Sequence, residues 1–249
     1  MEAIKDVLGK TETKKKVKQI NVREFDERFY EFGDEYAPSV TYMLGCVYPA
    51  GYGLAQWRGD VGNQRADEIM EMACEDGSYV HNAIEKILKG QKIDGEEISS
   101  RFKSKRALKV KKCLKGFLDF CEKYQPKIES MEYIVFDEDL KLAGTIDLKC
   151  RLNIDNYEGI WILDWKTSKS IHPNNKVQLS LYKHIDKEVT NCGLVHLGNT
   201  TKAGYSFLPL KDEDNQKFLK QGLLANKMFQ TLYPNAKPSN TVFPKYFSL

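Results

Sequence analysis

The sequence predicts a mixed α/β domain with one central sheet flanked by helices. Apolar residues recur at helical spacing up to about residue 124, alternate with a period of two from about 131 to 167, and then return to helical spacing. At 249 residues the chain is long enough for one large domain, and it contains no internal repeat and no low-complexity linker. We therefore expect helices first, then three strands, a helix, two strands and a final helix.

The first half of the chain is predicted to be mainly helical. Residues 1–24 form a basic arm with a Lys-Lys-Lys run, and residues 25–53, rich in aromatics, Gly and Pro, are expected to be irregular apart from a short helix starting near Ser39. Helices are then predicted over 64–74 and 77–88, and from Ser99 or Ser104 to about 124.

The second half carries the predicted sheet. Proline at 173 is suited to the first position of a helix, and Asp212 is a candidate cap for the last one. The predicted strands are 131–136, 142–152, 160–167, 192–197 and 205–210, and the predicted helices are 173–187 and 212–232.

The composition is that of an ordinary globular protein. Hydrophobic residues make up 41% and charged residues 29%, and the net charge of +3 is too small to indicate a partner. No apolar run is long enough to span a bilayer and no secretory signal is present, so we expect a cytoplasmic protein without a membrane partner. The six cysteines form no Cys-x-x-Cys pair, which argues against zinc or disulfides.

Two neighbouring predicted strands bring acidic residues together. The strand over 142–152 alternates between apolar and polar residues, as expected for a strand with one buried face. The next strand is apolar on both faces over 160–163, which indicates a central strand, and it runs directly into Asp164 and Lys166. The alternation assigns one face of the first strand to Ile146, Leu148, Cys150 and Leu152, and the other to Thr145, Asp147, Lys149 and Arg151.

Asp147, Asp164 and Lys166 are the candidate catalytic residues. A carboxylate that ends so apolar a strand is unfavourable when buried alone, so it is expected to pair with a cation. Two carboxylates from neighbouring strands suit Mg²⁺ or Mn²⁺, which would activate a water molecule and neutralise charge on a phosphoryl group. Lys166 could then orient or deprotonate that water.

The Asp-x-Lys tripeptide alone is a weak signal because it occurs three times. A surface strand with alternating charges explains Asp139/Lys141 and Asp147/Lys149, and a structural salt bridge explains the third as well as a site does. The residues around the third tripeptide favour the site. They combine Gly144-Thr-Ile-Asp147, Ile-Leu-Asp164-Trp-Lys166-Thr and Gln178-x-x-x-Tyr182.

This combined pattern resembles the RecB-type branch of the PD-(D/E)XK (restriction-endonuclease-like) nucleases. The resemblance implies a central mixed sheet flanked by helices, with metal bound by Asp147 and Asp164 and catalysis by Lys166. It also implies that Gln178 and Tyr182 support the site from the following helix. Their i, i+4 spacing puts them on one helix face, although a helix packed through its apolar residues would leave them merely flanking it.

An upstream segment, Gly77-Ser-Tyr-Val-His81-x-x-x-Glu85, matches the same branch. The resemblance implies that His81 completes the metal shell, whereas a histidine at the edge of a helical core is the alternative. Glu132 occupies the place of another acidic residue of the pattern, where it could bind a second metal or fix the lysine. Over about residues 36–187 the chain is also similar to phage-encoded exonucleases and a mitochondrial genome-maintenance exonuclease.

Some relatives hold an iron–sulfur cluster with cysteines on both sides of the core. No cysteine follows Cys192, so no such cluster is expected. The region 101–115 carries eight basic and no acidic residues. A solvated face explains such a run, but its self-repulsion favours a surface that binds phosphates. The predicted DNA-binding residues are Lys105, Arg106, Lys109, Lys111 and Lys112.

The sequence thus predicts a metal-dependent, phage-type DNA exonuclease that acts on single-stranded ends in replication, recombination or repair, with a recombination or replication protein as partner. Residues 25–249 are expected to form a single nuclease domain, with a helical elaboration over about 25–125 and a catalytic sheet core over about 126–249. The alternatives are a structure-selective endonuclease and a nucleic-acid-binding scaffold that does not cut.

Overall fold

Helices and strands follow one another in the order of a mixed α/β domain. The computed structural model describes residues 18–238 apart from 23–26, 34, 49–50, 153 and 155–156. In chain order the elements are β1 (Lys18–Val22), β2 (Glu27–Phe32), β3 (Glu35–Pro38), α1 (Val40–Val47), α2 (Tyr52–Val61), α3 (Asn63–Leu88), α4 (Gly95–Arg101), α5 (Ser104–Tyr124), β4 (Lys127–Asp137), β5 (Leu142–Arg151), β6 (Trp161–Lys166), α6 (Pro173–Ile185), β7 (Asn191–Leu197), β8 (Tyr205–Pro209) and α7 (Asp212–Leu232).

The predicted central sheet is confirmed as a five-stranded mixed sheet in the order β4-β5-β6-β7-β8. Strands β6 and β7 are parallel and are joined by α6, whereas the other neighbouring pairs are antiparallel. The predicted strands and the helices after residue 100 agree with the observed elements to within a few residues at their ends.

Strand β6 is covered by apolar residues on both faces, as its sequence predicts. Trp161, Leu163 and Trp165 pack against α3 and α5 on one face, and Ile162 packs with α1, α6 and α7 on the other. All four are almost fully buried. Burying an aliphatic side chain of this size contributes roughly 1.5–3 kcal/mol, so the two layers hold β6 firmly in the middle of the domain. Its last residues are thereby fixed in position.

A smaller antiparallel sheet, β1-β2-β3, adjoins the beginning of β5. Tyr30 is fully buried and its hydroxyl lies 2.9 Å from Thr145 Oγ1. The prediction of irregular structure over 25–53 is wrong for β2 and β3, because Phe29 and Tyr30 are consecutive and both buried, which hides the period of two. Within the predicted basic arm, Lys18–Val22 forms β1, and 1–17 and 23–24 lie outside the described residues.

One continuous helix, α3, replaces the two helices predicted over 64–74 and 77–88. Gly77, in its middle, packs against the end of β6: a Cβ at this position would lie 3.1 Å from Thr167 Oγ1. Glycine therefore permits a close approach here and does not break the helix. The preceding helix α2 was not predicted.

Three predicted helix starts can be compared with the structure. Ser39 caps α1, its Oγ accepting a hydrogen bond from Tyr42 N at 2.9 Å, and Pro173 is the first residue of α6. Asp212 is the first helical residue of α7 and not its cap, a position where a carboxylate still interacts favourably with the helix dipole. Among the residues that the structure describes, no helix combines the length and the apolar character needed to cross a membrane.

Candidate active site

Asp147 lies where the alternation of β5 is interrupted. On β4, Glu132 has a backbone φ of 44°, in the left-handed region that costs a non-glycine residue energy. On β5, Ile146 packs with α1 and α6, whereas Leu148 packs with α3 and α5. The common face predicted for Ile146 and Leu148 is therefore wrong, because the alternation of β5 changes face between them, opposite the left-handed residue of β4.

His81, Glu132 and Asp147 form a group that fits a divalent cation. One ligand atom from each lies within 4.8 Å of the others, so a single ion could contact all three. His81 Nδ1 is 3.4 Å from Asp147 Oδ1, and His81 Nε2 is 3.1 Å from the carbonyl oxygen of Trp165. A neutral His81 that donates from Nε2 to this carbonyl keeps the Nδ1 lone pair free toward the carboxylates, which is how metal-binding histidines are usually oriented.

The electrostatics of the group also favour a bound cation. Burial acts to lower the pKa of His81, but the charge and hydrogen bond of Asp147 outweigh it and raise that pKa to about 9. Partial burial and then the nearby Asp147 raise the pKa of Glu132 to about 7, although much of the Glu132 residue is exposed. Without a metal, protons thus compensate the crowded carboxylates, and a divalent ion could take their place.

Asp164 and Lys166 share one face at the end of β6, as predicted. Lys166 Nζ is 2.6 Å from Asp164 Oδ2, and Asp164 is only 6% exposed. Burial raises the pKa of Asp164 in spite of the opposing charge of Lys166. Asp164 lies outside the group of three ligands. The Asp164–Lys166 pair and this group meet at Trp165, whose backbone N donates to Asp147 Oδ2 at 2.8 Å.

Helix α6 positions Lys166 through a hydrogen bond that Gln178 accepts. Lys166 Nζ donates to Gln178 Oε1 at 3.2 Å, and Gln178 Nε2 lies 3.2 Å from Tyr182 Oη. Gln178 thus reaches the end of β6, and Tyr182 contacts Gln178, so the two residues do more than flank a packed helix. Gly144 makes room for the Tyr182 ring, because a Cβ on Gly144 would lie 2.3 Å from Tyr182 Cε1.

Thr41 completes these contacts and was not identified as a site residue from the sequence. It lies in the first turn of α1, where its Oγ1 accepts a hydrogen bond from Gln178 Nε2 at 2.7 Å. This orientation of the Gln178 amide is consistent, because its nitrogen, a donor, faces two hydroxyl groups and its oxygen, an acceptor, faces the lysine. The only sequence signal for Thr41 is its place just after Ser39, inside the segment that resembles the phage exonucleases.

The other two Asp-x-Lys tripeptides have different surroundings. Asp139 and Lys141 lie exposed in the turn between β4 and β5, as expected. Lys149 was assigned to a surface strand, and that is wrong: it is 7% exposed and bonds to Asp186 and Glu188. These acidic partners are distant in sequence, which is why local alternation suggested a solvent-facing lysine.

The basic helix α5 has acidic partners that its own sequence does not reveal. Arg106 donates to Asp76 Oδ1 at 2.7 Å and to Glu75 Oε2 at 2.5 Å, and Lys109 Nζ lies 3.5 Å from Asp76 Oδ2. The sequence suggested that no acidic residue relieves the repulsion among the basic side chains of α5. That is wrong for Arg106 and Lys109. Asp76 is 4% exposed, so these ion pairs fasten α5 to α3.

The remaining lysines of this helix are on the surface. Lys105, Lys111 and Lys112 are exposed, and Lys111 donates to Ser99 Oγ at 2.7 Å. Helix α5 is joined to the candidate site through α3: Asp76 accepts a hydrogen bond from Arg106, and the next residue, Gly77, packs against the residue after Lys166. The basic start of α5 and the end of β6 are therefore neighbours across α3.

No protein-family profile matches the chain, and no curated protein shows significant sequence similarity to it. Among solved structures, the chain is similar to a protein from Eubacterium rectale that is provisionally named an exonuclease. The TM-score is 0.42 at 15% sequence identity, over 71% of this chain and 77% of that one. Similarity at this level assigns neither a family nor an activity.

Proposed function

We propose that this chain is a metal-dependent nuclease of the PD-(D/E)XK type that hydrolyses DNA phosphodiester bonds. One observation carries the proposal: a three-residue group suited to a divalent cation and a buried Asp–Lys pair meet at the backbone of Trp165. A site for metal-assisted hydrolysis needs such a combination, with ligands for the ion and a separate polar group for the water.

In this proposal, His81, Glu132 and Asp147 hold a Mg²⁺ or Mn²⁺ ion, and Asp164 contributes from the adjacent strand end. When bound, the ion supplies an acidified water and neutralises negative charge on the phosphoryl group. All the protein ligands are oxygen or imidazole nitrogen, which suits these hard cations.

Lys166 acts on the attacking water in this proposal. Its Nζ is oriented by Asp164 on one side and by Gln178 on the other, at 2.6 and 3.2 Å. A lysine held in this way can fix the water at the phosphorus, and its positive charge can stabilise the negative charge that develops there. Tyr182 and Thr41 fix Gln178, so they position the lysine and have no direct part in the chemistry.

The proposed substrate is DNA with single-stranded ends, bound in part by the exposed lysines of α5. Phosphate contacts from Lys105, Lys111 and Lys112 would carry most of the affinity. Arg106 and Lys109 are already paired with Asp76, so we expect smaller contributions from them. We further propose that the protein works in the cytoplasm with a recombination or replication protein, and that residues 25–249 form the nuclease domain.

Digestion of end-labelled linear and circular single-stranded DNA, in Mg²⁺ and in EDTA, tests the proposal. An exonuclease should degrade the linear strand in Mg²⁺, leave the circle intact, and cut neither substrate in EDTA. Rapid cutting of circles would replace it with the endonuclease alternative. If the protein binds DNA but does not cleave it in Mg²⁺ or Mn²⁺, the alternative of a nucleic-acid-binding scaffold is favoured. Full activity after chelation would exclude the metal mechanism.

A further inference from the structure

A polar network with a buried centre and one exposed member, Glu188, adjoins the strands of the candidate site. Lys149 Nζ is 3.0 Å from Asp186 Oδ2 and 2.7 Å from Glu188 Oε2, and the Tyr133 hydroxyl donates to Asp186 Oδ2 at 2.7 Å. The side chains of Lys149 and Asp186 are only 9% and 11% exposed. Burial acts to raise the pKa of Asp186, but the hydrogen bonds from Tyr133 and Lys149 outweigh it and lower that pKa.

The network touches both strands that carry the candidate metal ligands. Tyr133 directly follows Glu132 on β4, and Lys149 is two residues beyond Asp147 on β5. Both side chains converge on Asp186, so the strands are fastened together beside the point where the β5 alternation is interrupted. The left-handed backbone of Glu132 is a conformation that persists only when neighbouring contacts enforce it.

The same network also holds the helix that orients the candidate catalytic lysine. Asp186 is the C-terminal cap residue of α6, and its Oδ1 accepts from Glu188 N at 3.2 Å. Gln178, which contacts Lys166, lies two turns earlier on that helix. One set of hydrogen bonds therefore adjoins β4, β5 and α6, the three elements that supply the ligands Glu132 and Asp147 and the support of Lys166.

Stability alone gives no strong reason for this arrangement. A buried ion pair is often no more stabilising than apolar side chains of similar volume, because both charges lose their hydration. What an ion pair adds is direction, since its hydrogen bonds are satisfied in one geometry only. A network with this property next to a metal site resembles the outer hydrogen bonds that orient ligands in metalloproteins.

We infer that Tyr133, Lys149 and Asp186 are positioning residues that set the geometry of the metal centre formed by His81, Glu132 and Asp147. The inference rests on the proposed function, because it presupposes that this group binds a cation. The network contacts neither the ion nor the substrate, and it acts by fixing the backbone from which Glu132 and Asp147 project.

The test is the affinity of the full chain for Mn²⁺, measured by isothermal titration calorimetry without DNA, in Tyr133→Phe and Lys149→Met. We expect each variant to bind Mn²⁺ more weakly, by up to about 10-fold, the lower end of the loss that follows removal of a hydrogen bond made directly to a metal ligand. Urea unfolding is measured in parallel. Tyr133→Phe loses one hydroxyl and keeps the aromatic ring, so it should remain folded even if Lys149→Met is too unstable to assay.

Lys183→Met is the matched control. Lys183 is also a half-buried lysine in an ion pair, 3.4 Å from Asp212, but this pair joins α6 to α7 and includes no residue of β4 or β5. We expect its Mn²⁺ affinity to equal that of the wild type.

Two results would overturn the inference, and they are distinguishable. If the wild type binds Mn²⁺ and Tyr133→Phe binds it equally well, the network is only structural and the proposed function stands. If the wild type itself binds no Mn²⁺, the metal centre fails, and the inference fails with it.

Discussion

Replacing Gly144 with alanine should damage the site without touching a charged residue. The new Cβ would lie 2.3 Å from Tyr182 Cε1 and 2.7 Å from Tyr182 Oη. Carbon atoms prefer separations of about 3.5 Å or more, so the overlap exceeds roughly 1 Å. Tyr182 is 3% exposed and cannot swing into solvent. The strand or the ring must move, and the cost of such overpacking is typically about 1–3 kcal/mol.

The displacement should reach Lys166 through Gln178, whose amide contacts both Tyr182 and the lysine at 3.2 Å. Chemical unfolding of Gly144→Ala measures the cost in stability, and DNA cleavage under conditions where the variant is folded measures the effect on the lysine. We expect a loss in both. Shortening the ring in the double variant Gly144→Ala/Tyr182→Leu should recover part of the stability, because the two changes share one contact.

Gly45→Ala is the control for this change. Gly45 lies in helix α1, and nothing lies within 4 Å of a Cβ built there, so alanine should stabilise the protein by about 0.5–1 kcal/mol through helix propensity. Should Gly144→Ala prove as stable and active as Gly45→Ala, the close packing of Tyr182 on β5 and the support of Lys166 deduced from it are refuted.

Three further predictions concern the metal and the basic helix α5. The raised pKa values of Glu132, about 7, and His81, about 9, mean that the metal-free fold prefers both groups protonated and loses stability as pH rises through these values. Mg²⁺ must displace those protons to bind. The rise in the thermal unfolding midpoint that Mg²⁺ causes should therefore grow between about pH 6 and 9. A rise of the same size at every pH would contradict this prediction. Lys105→Ala and Lys112→Ala should each reduce the slope of log K against log salt, where K is the binding constant for single-stranded DNA, by about 0.7. An unchanged slope would mean that these lysines are only solvated and bind no phosphate. Arg106→Ala should instead lower the unfolding midpoint, because it leaves the buried Asp76 without its closest cation.

Those parts of the fold that depend on local pattern could be predicted from the sequence. The continuous apolar run before Asp164 identified β6 as a central strand, and Pro173 marked the start of α6. Strand β2 was missed because its burial depends on β5, through contacts such as that between Tyr30 and Thr145. The continuity of α3 was missed for a similar reason: only its packing on Thr167 shows why a glycine interrupts nothing.

The same division applies to the candidate site. Spacing alone puts Asp164 beside Lys166, since two residues on a strand share a face, and it puts Gln178 and Tyr182 on one side of a helix. No spacing relates His81 on α3 to the carboxylates of β4 and β5, because that proximity is created by helix packing on the sheet. The burial of Lys149 was likewise invisible, since its partners follow α6.

If the end of β6 is the catalytic centre, Lys166→Ala should cleave DNA slowly, and its rate on end-labelled single-stranded DNA is the most direct measurement. The matched control is Lys141→Ala, which removes the lysine of an exposed Asp-x-Lys in the β4–β5 turn. Both variants should bind DNA about as well as the wild type, because affinity resides mainly in the basic surface. In Mg²⁺, Lys166→Ala should cut at least about 100-fold more slowly than the wild type, and Lys141→Ala at the wild-type rate. Equal rates for Lys166→Ala and the wild type, or an equal loss in both variants, would contradict the assignment of the site.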